Sequence, residues 1–331
     1  MSHVQLAIRI SLSLLLVIWL AAKLDWIGLA GIFTAADWRL LAAVLLASPV
    51  LVGLLAWRLQ LLLRTQHINL PFGVLLQMTW AGQFFNTFLP GTTGGDVFKL
   101  YQIGRLAPQA RAAGAAAVVL DRLLALLALL VLSAGAFLAE PVPVLHLLRQ
   151  GVGVSRAGAL AFIGLLGTVL AVYLLRNRLR QRGGRLARIL NALSEVFTVV
   201  RSSLRINRLT MAAGGLALAT HLGNFFGVFL LARALQIEIS FFQTLLMMPV
   251  VLLVIMLPVT INGHGLREIV MIGYFGLLHI GGGPGLASGR EMAVALSLVF
   301  VANDLCCALP GGVWHLLFPP LSPRLPTPVA A

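Results

Sequence analysis

The sequence predicts an all-α polytopic membrane protein with about six spanning helices and two re-entrant helical hairpins, arranged as an inverted-topology repeat. Of its 331 residues, 60% are hydrophobic and only 10% are charged, and the mean hydropathy is +0.98. A soluble domain carries roughly 25% charged residues. Here the apolar residues form blocks near the ~20 residues that cross a ~30 Å hydrocarbon layer. We therefore expect one membrane domain over residues 1–331.

Six apolar blocks are long enough to span a bilayer. They cover residues 5–22, 40–57, 113–139, 158–175, 209–231 and 291–309. The connector 176–208 contains nine arginines and one acidic residue, so the positive-inside rule places it in the cytoplasm. Its apolar residues recur at helical spacing, which predicts an amphipathic helix along the membrane surface. A plain solvated basic loop is the alternative.

Two further apolar stretches, 72–89 and 241–283, are interrupted by proline and glycine. The basic connectors 58–71 and 99–111 flank the first stretch and are both expected in the cytoplasm, so this stretch should enter and leave the membrane on one side. The second should enter from outside, in a chain whose N- and C-termini are cytoplasmic. Non-helical backbone at such depth must be buried in protein or line a wet cavity. Eight ordinary spans with kinks are the alternative.

An internal repeat supports the hairpins. Residues 89–99 align with residues 257–267, which lie 168 positions later, in the pattern L-P-x-T-x-[GN]-G-x-x-x-[KR]. Each half would hold three spans and one hairpin, and an odd number of spans inverts the second half relative to the first. The predicted units are a first repeat over 1–157, a second repeat over 158–319 and a Pro-rich tail over 320–331.

The net charge of +14 lies mainly in the connectors, without a nucleic-acid-binding motif, so it indicates membrane topology and anionic lipids rather than nucleic acid. The adjacent Cys306 and Cys307 predict neither a disulfide framework nor a metal site. The sequence contains no catalytic fingerprint in its required context. We expect no enzyme, no cofactor and no bound metal.

Both hairpin tips combine glycines with polar and charged side chains. Glycine lets backbone N–H groups approach a ligand, and a helix beginning near Asp96 would direct its positive end there. Ionisable residues inside an apolar span are costly unless they are paired or hydrated. The candidate substrate-binding residues are Asn86, Thr92, Thr93, Gly94, Gly95, Asp96, Lys99, Tyr101, Asp121, Arg122, Thr260, Asn262, Gly263, Gly265, Arg267, Glu268 and Asp304.

Two facing tips would form a polar, partly cationic chamber that suits a phosphate-bearing headgroup. Alternatively, the tips are tight turns, with Lys99 and Arg267 as interface anchors. Arg122 either holds a phosphate or pairs with Asp96 or Asp304 as a structural clamp. A role for Asp121 or Asp304 in proton or cation coupling also stays open.

The two tip motifs resemble a known family. N-x-F-L-P-G-x-x-G-G-D-x-x-K-x-Y at 86–101, the Asp121–Arg122 pair and P-x-x-x-N-G-x-G-x-R-E at 258–268 resemble the transmembrane family named after lysylphosphatidylglycerol synthase. The resemblance covers about 5–315 and implies a lipid-translocating or lipid-handling domain. The soluble aminoacyl-transferase domain of longer members is absent here, so lipid synthesis is not implied. Lys99 stands where many relatives would carry arginine, which keeps the charge.

The expected function is that of a flippase-like transporter, which moves or handles a phosphate-containing lipid across the bacterial cytoplasmic (inner) membrane. The expected lipid partners are an anionic phospholipid, an aminoacyl-phospholipid or a polyprenyl-phosphate-linked sugar. The alternative is a non-transporting protein that binds lipid or recruits a cytoplasmic lipid-modifying enzyme. A homodimer is compatible with the sequence.

Overall fold

A computed structural model describes residues 22, 24–88, 94–139, 207–256, 263–281 and 288–318. The predicted spans 5–22 and 158–175, nearly all of the connector 176–208 and the tail 320–331 lie outside the described residues. Over the described ranges the chain is helical and contains no strand. The all-α class is therefore confirmed.

The described part of the chain forms nine α-helices and a short 3₁₀ turn at Pro108–Ala110. The helices are α1 (Trp26–Thr34), α2 (Trp38–Thr65), α3 (Phe72–Phe88), α4 (Gly94–Leu106), α5 (Arg111–Ala139), α6 (Arg208–Ala234), α7 (Phe241–Met256), α8 (Leu266–Leu277) and α9 (Gly289–Leu317).

Four of these helices, α2, α5, α6 and α9, are long and apolar enough to cross a membrane. They contain 28, 29, 27 and 29 residues. At 1.5 Å per residue each extends roughly 40 Å, which exceeds the ~30 Å hydrocarbon thickness. They correspond to the four predicted spans that lie within the described ranges.

The other helices in the two interrupted stretches are short. Helices α3 and α4 contain 17 and 13 residues, and α7 and α8 contain 16 and 12. Even α3 extends only roughly 26 Å, less than the hydrocarbon thickness. Helix α3 packs against α4, and α7 packs against α8. The two stretches thus form two pairs of short helices between the long ones.

The order of elements repeats along the chain. Helices α2 to α5 run long, short, short and long, and α6 to α9 follow the same order with nearly the same lengths. Their packing also corresponds, since α3 contacts α9 as α7 contacts α5, and α2 contacts α6. The described chain therefore contains two four-helix units, α2–α5 and α6–α9, with the same order of helix lengths.

Hydrogen bonds join several helix ends at one end of the bundle. Asp37 caps the start of α2, and its backbone N–H donates to the Ala234 carbonyl at the end of α6, at 2.8 Å. The Asp25 N–H donates to the Glu291 carboxylate at the start of α9, at 3.3 Å. From the sequence, the positive-inside rule predicts that all of these positions lie on the external side of the membrane.

Glycines let α9 approach α3 closely. A Cβ at Gly311 would lie 2.4 Å from the Trp80 carbonyl oxygen, and one at Gly312 would lie 2.5 Å from the Phe84 ring. The Trp80 indole N–H donates to the Cys307 carbonyl at 2.6 Å. Small residues at a helix contact are typical of membrane bundles, where close packing replaces hydrophobic driving force. This contact holds the first short pair beside the second four-helix unit.

Candidate functional site

A cavity of about 340 Å³ lies between the two four-helix units. Leucines and other apolar side chains of α2, α5 and α7 form much of its wall, with polar groups set among them. The charged lining residues are Arg58, Lys99, Asp121, Arg122, Arg267 and Asp304. The uncharged polar and histidine residues of the lining are Ser48, Gln83, Asn86, Thr87, Thr220, His221, Asn224 and Asn303.

Six of the residues predicted from sequence line this cavity, namely Asn86, Lys99, Asp121, Arg122, Arg267 and Asp304. Lys99 and Arg267 occupy equivalent positions of the predicted repeat, one after each predicted hairpin tip. Both line the same cavity although 168 positions separate them. The structure therefore brings together the two basic positions that the repeat relates.

Other predicted residues lie elsewhere. Tyr101 is 60% exposed, and the Arg105 guanidinium stands 5.8 Å from its ring centre. Tyr101 therefore lies outside the lining of this cavity, and its place in a substrate site stays a prediction. The tip residues Thr92, Thr93, Thr260 and Asn262 lie outside the described residues.

A buried ion pair joins α2 to α5. The Arg58 Nε donates to Asp121 Oδ1 at 2.5 Å, and Arg58 Nη2 donates to Asp121 Oδ2 at 2.9 Å. Arg58 is only 4% exposed and lies within a helix, so its assignment to a connector is wrong. Helix α2 continues to Thr65 and carries Arg58 into the bundle. A bidentate partner supplies the compensation that a buried charge requires.

A second ion pair joins α4 to α5. The Arg122 Nε lies 2.5 Å from Asp96 Oδ2, and the two side chains are 36% and 16% exposed. Of the two partners considered from the sequence, Asp96 is the one that the structure shows. Because a guanidinium carries five N–H donors, this pairing leaves others for a ligand. Arg122 therefore clamps the helices and also lines the cavity.

A third ion pair lies at the start of α8. Arg267 Nη2 lies 2.8 Å from Glu268 Oε1, and Arg267 Nε donates to Ser297 Oγ at 2.8 Å. The second carboxylate oxygen of Glu268 accepts the Gly265 N–H at 2.6 Å, which caps the helix. Gly265 has φ +86°, a conformation that favours glycine. Glu268 and Gly265 thus position Arg267, which reaches the cavity while remaining 1% exposed.

Two glycines bring α3 and α4 into contact. The Asn86 Oδ1 accepts the Gly95 N–H at 2.7 Å. A Cβ at Gly95 would lie 2.2 Å from the Gly82 carbonyl oxygen, so no larger residue fits without moving a helix. Gly94 begins α4 beside this contact. Gly263, with φ +72°, similarly approaches Ile255 across the second pair.

Two charged lining residues differ from the rest. Within the described ranges, neither Lys99 nor Asp304 makes an ion pair or a hydrogen bond. The other four lining charges each have a partner of opposite sign. Lys99 and Asp304 thus line the same cavity but lie outside its three ion pairs, and in this sense we call the ammonium and the carboxylate unmatched.

The sequence did not single out the polar face of α6. Thr220, His221 and Asn224 line the cavity from this helix. His221 Nε2 lies 3.1 Å from the Ala125 carbonyl oxygen, and Asn224 Oδ1 is buried without a hydrogen-bond partner among the described residues. Their i, i+1 and i+4 spacing places them on one helical face, which is the signal that could have identified them.

Over the described residues, no group of three histidine, cysteine, aspartate or glutamate side chains could hold a metal ion. The site is instead a set of organised cations, one unmatched carboxylate and several neutral hydrogen-bonding groups. Such a lining can bind an anionic oxygen group and hold it away from bulk water.

The family described as the lysylphosphatidylglycerol synthase TM region matches residues 6–289. The chain belongs to this family. The match includes both hairpin motifs and the Asp121–Arg122 pair, and it ends at the start of α9. Membership in the lysylphosphatidylglycerol synthase TM family supports a lipid-related function in a membrane. No curated protein and no solved structure matches the chain.

Proposed function

We propose that this member of the lysylphosphatidylglycerol synthase TM family is a flippase-like transporter for a phosphate-containing lipid. The headgroup would pass through the cavity while the hydrophobic tails stay in the bilayer. One observation carries the proposal: the Lys99 ammonium lines an internal cavity in which the other lining cations already have carboxylate partners.

The architecture supports transport through an inverted repeat. We propose that α3–α4 and α7–α8 are re-entrant hairpins that enter from opposite faces. Their helices are too short to span singly, and each pair contributes one cation, Lys99 or Arg267, to the shared cavity. Broken helices that meet near the midplane of two repeats form the substrate sites of many secondary transporters.

The charges of the cavity favour phosphate. An unpaired ammonium in an apolar environment is costly, and an anionic oxygen would compensate it. A hydrogen bond to a charged group contributes about 1.5–3 kcal/mol. The free donors of Arg122 lie in the same lining as Lys99, so a phosphate has more than one cationic neighbour.

The size of the cavity suits a headgroup rather than a whole lipid. A volume of about 340 Å³ falls at the lower end of the ~300–1,000 Å³ of small-molecule sites. An anionic phospholipid, an aminoacyl-phospholipid and a polyprenyl-phosphate-linked sugar all share the phosphate that this proposal requires.

We also propose that the protein lies in the bacterial cytoplasmic membrane, with cytoplasmic termini.

Movement of labelled lipids across liposomes tests the proposal. The wild-type protein should accelerate the transbilayer movement of fluorescent phosphatidylglycerol, and Lys99→Met should slow it about 10–100-fold, because each 1.4 kcal/mol changes an equilibrium tenfold. Lys99→Arg should retain most of the rate. Arg64→Met, which removes an exposed cation from α2, is the matched control and should leave the rate unchanged.

Two results would contradict transport. One is equal movement with wild-type protein and with protein-free liposomes across a panel of phosphate-containing lipids. The other is the same rate for Lys99→Met as for wild type. Lipid binding without movement, together with capture of a cytoplasmic lipid-modifying enzyme, would support the alternative of a non-transporting scaffold.

A further inference from the structure

We propose that Asp304 is a proton-binding site that couples headgroup movement to proton uptake. The inference rests on the proposed function, because it assigns the coupling ion of the same cavity. Asp304 lies on α9 and lines the cavity, and it makes no hydrogen bond or ion pair with any described residue. Its carboxylate can therefore gain a proton without breaking a salt bridge.

The arginines that line the cavity with Asp304 from α8, α2 and α5 already have carboxylate partners. Arg267 on α8 is held by Glu268, and His264 Nδ1 lies 3.3 Å from Arg267 Nη2. Arg58 on α2 is held by the two oxygens of Asp121. Arg122 on α5 is held by Asp96. None of the three arginines forms an ion pair with Asp304, which distinguishes this carboxylate from the other acids near the cavity.

The remaining neighbours are neutral groups and one cation. His221 lines the cavity from α6, and Cys307 lies three residues after Asp304 on α9. The lining residues of α3 are uncharged. Lys99 on α4 is the unmatched cation of the same cavity. The proton balance of the site thus depends on Lys99 and Asp304, whose charges cancel when both are ionised.

Charge balance links the proton to the headgroup. A phosphodiester that binds Lys99 brings one negative charge into a cavity that Lys99 and an ionised Asp304 leave neutral. If Asp304 takes a proton from water at the entry side, the loaded cavity is neutral again. An uncompensated charge is costly in an apolar environment, so headgroup and proton favour each other's binding. Both leave on the opposite side, and the cycle moves one proton with one monoanionic headgroup.

Proton uptake on binding tests the first half of this inference. The probe is dihexanoyl phosphatidylglycerol, added to detergent-purified protein in weak buffer with a pH indicator, over a range of pH. Wild-type protein should take up, at its maximum, about one proton per bound headgroup. Asp304→Asn should bind the probe and take up none. The matched control Glu238→Gln, which changes an exposed carboxylate outside the cavity, should behave as wild type.

A pH gradient across liposomes tests the second half. An acidic source compartment should accelerate movement of labelled phosphatidylglycerol toward the alkaline side several-fold in wild type, and a protonophore should abolish the effect. Asp304→Asn should move lipid at one rate with or without the gradient. Asp304→Glu should restore the response, which shows that the carboxylate rather than the local packing is required.

The outcomes separate the coupling from the transport. Headgroup binding without proton uptake in wild type overturns the coupling and leaves the proposed function intact. A gradient response that persists in Asp304→Asn also overturns it. Absence of both probe binding and lipid movement in wild type overturns the proposed function itself.

Discussion

The buried pair of Arg58 and Asp121 offers a direct test of whether these cavity charges stabilise the structure or act in the proposed lipid movement. The pair joins α2 to α5 through two hydrogen bonds of 2.5 and 2.9 Å. Arg58→Met leaves the Asp121 carboxylate buried without its partner. Breaking a buried pair in this way costs about 3–5 kcal/mol, whereas replacing both partners with apolar residues of similar size is often neutral.

We therefore expect Arg58→Met to lower the unfolding temperature by about 6–20 °C, at roughly 2–4 °C per kcal/mol. The double variant Arg58→Met/Asp121→Leu should recover most of that loss. The measurement is thermal unfolding in detergent, followed by lipid movement in liposomes. Arg64→Met in the same helix removes an exposed cation and is the control, with an expected change within about 0.5 kcal/mol.

The double variant decides the role of the pair. If it is stable and moves lipid at the wild-type rate, the pair is a structural clamp. A double variant as unstable as Arg58→Met would refute the energetic reasoning. A stable double variant that no longer moves lipid would show that the pair contacts the headgroup.

Two further predictions concern the two pairs of short helices. Gly95→Ala should lower the free energy of unfolding by about 1–3 kcal/mol, because its Cβ would lie 2.2 Å from a carbonyl oxygen of α3. The control Gly73→Ala meets nothing within 4 Å and should be neutral or slightly stabilising, and equal effects of the two would contradict the close approach. Glu268→Gln should destabilise the protein by about 3–5 kcal/mol in the same assay, since it leaves Arg267 buried without a carboxylate. An effect no larger than that of Glu238→Gln would show that Arg267 does not need this partner.

The sequence was informative about the long helices. The predicted block 40–57 lies within α2, and 113–139 lies within α5. The predicted end of this block does not coincide with the end of α2. The apolar block ends before Arg58, whereas the helix continues to Thr65. Hydropathy evaluates each residue with its chain neighbours only. The partner that compensates Arg58 lies 63 positions away, so its burial could not be inferred from local composition.

Only part of the candidate site could be predicted, because contacts between residues far apart in the sequence decide the rest. The predicted repeat relates Lys99 to Arg267 from sequence alone, and both residues line the cavity. Which charges are matched could not be predicted, because pairing depends on distances between helices. The sequence left Arg122 with two acidic partners, and only the three-dimensional packing selects Asp96. That selection is what leaves Asp304 unmatched.

The position of the headgroup in lipid-bound protein tests the central claim most directly. We propose to determine the structure in nanodiscs that contain phosphatidylglycerol, at a resolution that shows side chains and the phosphate. We predict a phosphate oxygen at about 3 Å from Lys99 Nζ, inside the cavity between the two four-helix units. Lipid bound only at the outer surface, with the Lys99 ammonium paired to a protein carboxylate in a dry cavity, would contradict the proposal.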